Sequence, residues 1–178
     1  MSSQLRIPFL WCACIIGAPM AIAAAASVNQ HVVVTLMPAG KISAPAAVTL
    51  TNTSSFGSYS GTVQLQYNAR TSPGTTGGIN IQAASDFSPP GGPAVARGAL
   101  TYNCGAATLG SACTGVQTLS LSAAAPVLSL PAAACTGGGG QCSSTDPNTV
   151  SLAFFLDDDP VLPTGGYRAQ ITFIYSNP

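Results

Sequence analysis

Beyond the first 26 residues, the side chains with chemistry to offer are Cys104, Cys113, Cys135 and Cys142, the single His31, and the run Asp157-Asp158-Asp159. Four cysteines in an exported chain read as two disulfides. Proximity in sequence favours Cys104 with Cys113 and Cys135 with Cys142, and the other two connectivities stay open. Each favoured bridge closes a short loop, contributing about 2–3 kcal/mol by chain entropy. A four-thiolate metal site calls for cysteines two to four residues apart, which these are not. Redox catalysis needs a CxxC motif, and there is none. Any Ser/His/Asp or Cys/His mechanism would have to use His31, which falls in an N-terminal strand close to a cleaved end, where catalytic geometry is hard to hold. We therefore expect no enzyme.

The three aspartates supply hard oxygen ligands of the kind calcium takes, but neighbours on a strand end point in alternating directions. No EF-hand spacing accompanies them, so they read as a solvated turn, with calcium binding left open. Asp86 is too isolated to form a glycosidase pair with them. Gly137 to Gly140, between Cys135 and Cys142, lack the Lys-Ser/Thr and the helix of a phosphate loop and read as a loop tip under a disulfide. No cofactor and no metal are expected. The five tyrosines offer a sugar-stacking platform on paper, yet Tyr67, Tyr167 and Tyr175 fall on apolar strand faces and read as core. Asn52-Thr53-Ser54 matches the glycosylation sequon.

These residues are carried by a chain of 178 residues with zero net charge, only 6% charged residues, 19 glycines and 14 prolines. Lys41, Arg70, Arg97 and Arg168 are scattered, which argues against nucleic acid as a partner. Residues 1–26 have the layout of a signal peptide: Arg6, an apolar segment from Ile7 to Ile22, and small residues from Ala21 to Ala26. Cys12 and Cys14 sit there in poor lipidation contexts. Residues 27–178 then form one domain.

Period-two alternation recurs along that domain. It marks strands at Ser27–Leu36, around Val48 and Leu50, at Gly61–Ala69, Ile79–Ala83 and in the last stretch, while Leu100–Tyr102, Val116–Leu121 and Val127–Leu130 read as short strands bounded by turn residues and Thr149–Leu156 as an apolar strand. Turn residues separate them: Ser72-Pro73-Gly74 and Gly77-Gly78 predict a hairpin between the third and fourth strands, and the three prolines of Ser88–Pro93 exclude regular structure. Ala123–Ala125 and Ala132–Ala134 are each stopped by a proline. Eight or nine short strands without a helix predict an all-β, Ig-like or Greek-key β-sandwich.

The final stretch, Gly165 to Pro178, alternates Tyr167, Ala169, Ile171, Phe173 and Tyr175 with mostly polar residues. It resembles the C-terminal strand of chaperone–usher-type fimbrial (pilin) subunits, with Gly165 the fourteenth residue from the end. Asn177 stands where that family carries a near-terminal tyrosine, and the cysteines lie late in the domain, so a divergent fimbrial or spore-coat-like branch fits better. The resemblance implies a non-enzymatic structural subunit of a surface filament, reaching the cell surface through the periplasm. Assembly would proceed by strand exchange: residues 27–37, with Val28, Val32, Val34 and Leu36 on one face, would be the donor strand. Gly165, Tyr167, Ala169, Ile171, Phe173 and Tyr175 would border the acceptor groove. The implied partners are copies of itself or neighbouring fimbrial subunits, a periplasmic chaperone and an outer-membrane usher. The second expectation is a self-contained secreted sandwich that binds a surface glycan or a protein ligand.

Overall fold

The computed structural model describes residues 33–35, 37–54, 56–135, 142 and 145–177. The chain divides into two units, residues 1–35 and 36–178. Of the first, only Val33, Val34 and Thr35 are described, and all three are exposed. The leader, Val28, His31, Val32, Leu36 and Gly137 to Gly140 lie outside the described residues.

The second unit is a β-sandwich. Its strands are β1 (Ala39–Ser43), β2 (Tyr59–Arg70), β3 (Gly77–Ala83), β4 (Leu100–Ala107), β5 (Ser111–Ala112), β6 (Gln117–Thr118), β7 (Ala125–Leu130), β8 (Asn148–Leu156) and β9 (Ile171–Ser176). All the strand pairs are antiparallel, in a five-stranded sheet ordered β1-β2-β8-β4-β6 and a four-stranded sheet ordered β5-β7-β3-β9. The described residues hold no α-helix, only a 3-10 turn at Val95–Arg97.

Alternation builds this architecture. In β2 the apolar set Val63, Leu65, Tyr67 and Ala69 is buried while Thr62, Gln64 and Gln66 face out. Val150, Leu152 and Phe154 of β8 and Leu100 and Tyr102 of β4 continue the same inner face, and Ile79, Ile81 and Val127 oppose it from the second sheet. Tyr102 is the register partner of Phe154, their ring centroids 6.0 Å apart. Burying each large apolar side chain of this layer stabilises the fold by about 1.5–3 kcal/mol. The tyrosine hydroxyls at its rim are satisfied: Tyr102 donates to the Pro126 carbonyl at 2.8 Å, and Tyr67 donates to that of Leu109. Burial raises the pKa of both, that of Tyr102 to about 12.

The structure corrects the expected hairpin. β2 and β3 do not pair: β2 lies between β1 and β8, and β3 between β7 and β9. Residues 71–76 cross from one sheet to the other, and Gly77 and Gly78 begin β3 instead of turning. The crossing is anchored by buried Thr71, whose hydroxyl donates to the Pro131 carbonyl at 2.7 Å and accepts from the Ala134 N–H at 2.8 Å. Val48 and Leu50 are partly buried against the core but belong to no strand; their neighbour Thr51 makes one isolated bridge to Ser60. The strand on this edge is β1, which starts at Ala39. The Val116–Leu121 strand shrinks to Gln117–Thr118.

Candidate functional site

The two flanks of the sandwich are closed differently. On one, the Cys104–Cys113 disulfide ties β4 of the larger sheet to the residue after β5 of the smaller. On the other flank the edge strands are β1 and β9, and no covalent link joins them among the described residues. The Tyr175 ring covers Gly40 there; a Cβ at position 40 would stand 2.5 Å from Tyr175 Cδ1. The Tyr175 hydroxyl reaches the Arg70 carbonyl at 3.4 Å, and burial raises its pKa.

Along this flank β9 presents Ile171, Phe173 and Tyr175 toward the core, and Ile42, Val48 and Leu50 lie on the opposite rim; all six are only partly buried. β9 pairs with β3 through the register Ala83↔Ile171 to Gly78↔Ser176, and its other edge carries no ladder among the described residues. Unpaired strand N–H and C=O groups beside an incompletely covered apolar row are what an added strand would satisfy.

The predicted groove residues do not all share this edge. Ala169, Ile171, Phe173 and Tyr175 pack against the core with the expected parity. Tyr167 does not: the strand begins only at Ile171, and Tyr167 lies over Gly92 and donates to the Pro163 carbonyl at 2.7 Å. Arg168 makes an isolated bridge with Ser88, so the preceding residues are tied to loop 84–99 instead of to β3. Gly165 is exposed. Of the predicted donor residues only Val34 is described, and it is 70% exposed.

The disulfides pair as proximity favours, Cys104 with Cys113 and Cys135 with Cys142. They place folding of the chain in an oxidising, non-cytoplasmic compartment. No described helix is long and apolar enough to cross a membrane.

The aspartates serve loop geometry. Asp157 accepts from the Ser58 hydroxyl at 2.7 Å and Asp159 from the Val161 N–H at 3.0 Å. Among the described residues no three His, Cys, Asp or Glu side chains gather as a metal site. Asp86, an isolated acid in the sequence, closes a loop. Its Oδ1 accepts from the N–H groups of Phe87 at 2.8 Å and Val95 at 2.7 Å, closing the loop between β3 and the 3-10 turn. Those bonds, the one from Phe87 foremost, hold its carboxyl below the usual range against a smaller opposing effect of burial. An aspartate followed by an irregular proline-rich stretch was the available signal. Compared with protein-family models, curated proteins and solved structures, the chain matches none.

Proposed function

We propose that this chain is a non-enzymatic, exported structural subunit of a surface filament or fimbria, and that the open edge of β9 accepts a strand from a neighbouring copy. The observation that carries the reading is the flank itself: a sheet-edge strand whose outer side pairs with nothing among the described residues, with Ile171, Phe173 and Tyr175 only partly covered. The donor is the alternating segment 27–37. Backbone hydrogen bonds along β9 would supply affinity, and alternate side chains entering between the sheets would supply register. A periplasmic chaperone that held the same edge before assembly, and an outer-membrane usher, complete the route to the cell surface. The fimbrial resemblance of the last strand supports this reading, as does the low charge of the chain, which leaves little repulsion between packed copies.

The test is a denaturing gel of material sheared from the native producer's surface, run with and without boiling and probed with a specific antibody. A ladder that collapses to one band on boiling, and that disappears when residues 27–36 are deleted, is the expected result. A single monomer band in both lanes overturns the proposal.

A further inference from the structure

None of the four strands of the smaller sheet contains a charged residue. On its outer face, away from the core, lies an open groove of about 530 Å³ that runs from β5 across β7 and β3 to Ser176 of β9. Its lining is neutral and rich in hydrogen-bonding groups, including Asn80, Ser111, Thr114, Gln117 and Ser129. Gly78 is buried in its lining, where a Cβ would stand 3.1 Å from the Leu128 carbonyl, so a side chain there would press on β7. Two of the lining groups are held in place: Ser176 Oγ donates to the Gly78 carbonyl at 3.4 Å, and Gln117 Nε2 donates to that of Thr114 at 2.8 Å. Asn80, Ser111 and Ser129 have no side-chain partner among the described residues. Cys113, the residue after β5, also lines the groove and is tied to β4 by its disulfide.

We propose that this groove binds a neutral saccharide. The absence of charge disfavours phosphate, sulfate, carboxylate and ammonium ligands, which need an opposite partner to offset their desolvation. An extended peptide would pair with backbone at a sheet edge, whereas here the bonding groups are mainly side chains standing on a face. Clustered hydroxyls and amides, each able to donate and accept, match a ring of sugar hydroxyls. No tyrosine lines the groove, so binding is weak, in the millimolar range. This site lies on a sheet face and does not depend on strand exchange at β9.

Saturation-transfer NMR on the purified, disulfide-intact chain tests it, with lactose, maltotriose and chitotriose as neutral probes and sialyllactose and a sulfated disaccharide as charged ones. Transfer to at least one neutral probe is expected, weakened about tenfold by Asn80→Ala and abolished by Ser129→Arg. Gln64→Ala, which removes the same kind of group from the outer face of the other sheet, should leave it unchanged. Near-UV circular dichroism confirms that each variant remains folded. Failure of every neutral probe, preference for the charged ones, or transfer that survives both groove variants overturns the proposal.

Discussion

Thr71 and Gly40 show how much of this fold rests on single side chains that the alternating pattern does not mark. Thr71 follows the last residue of β2 and sends its hydroxyl to two backbone groups of the segment 131–134. Thr71→Val should therefore destabilise the chain by about 1–3 kcal/mol, because it strands buried backbone polar groups, while Thr71→Ser should keep most of the stability. Urea denaturation midpoints of the two variants decide this; equal midpoints would mean that the bonds contribute nothing. Gly40→Ala would drive a methyl into the Tyr175 ring and force one edge strand from the other, at a cost of about 1–3 kcal/mol. If the ring is what meets the methyl, Tyr175→Leu in the Gly40→Ala background should recover part of the loss. The tyrosine was legible as an inward residue of an alternating strand. Its contact with a glycine about 135 positions earlier was not, since nothing local to either residue records it.

Among the elements, β2 and β8 were the most legible: both are long, Val63, Leu65, Tyr67 and Ala69 of β2 alternate with polar or small neighbours, and β8 reads as an apolar run whose Val150, Leu152 and Phe154 are buried. β5 and β6 were the least. Two residues each, they are strands only because β7 and β4 lie beside them. β5 is held by the Cys104–Cys113 bridge, so removing that bridge as Cys104→Ser with Cys113→Ser should lower stability by about 2–3 kcal/mol. Hydrogen exchange should show the loss of protection concentrated in β5 and the neighbouring part of β7; uniform loss over the sandwich would contradict this. The cysteine pairing was legible from spacing. The role of one pair as the clasp of a flank was not, because it depends on which sheet each cysteine enters. The hairpin expectation failed for the same reason: the turn signals after β2 were real, but a turn does not state whether the chain returns within a sheet or crosses to the other one.

For the molecule as a whole, the buried tyrosines give the clearest dependence on pH. Tyr102 ionises at about pH 12 in the folded chain, so its contribution is fully present below the ordinary tyrosine value near 10 and is lost as pH rises through 12. A shift of that size corresponds to about 2–3 kcal/mol. Urea midpoints should fall over this window, and absorbance titration should detect a tyrosine that resists ionisation until unfolding. Tyr102→Phe should flatten the decline, and a profile identical to that of the unsubstituted chain would exclude Tyr102 as its cause. At the acid end Asp86 acts with the opposite sign: its lowered pKa contributes stability above the usual carboxylate range that is lost as pH falls through its folded value. By itself, the sequence determined the all-β class, the main inward residues, the disulfide pairing it favoured and the inward face of the last strand, because side-chain periodicity and proximity along the chain are local properties. Only the tertiary structure decided which strands share a sheet, that β9 stands at a sheet edge unpaired among the described residues, and that a groove with a neutral lining crosses the outer face beside it. Edges and grooves arise from neighbours far apart in sequence, and the free energy that selects those neighbours belongs to the packed whole.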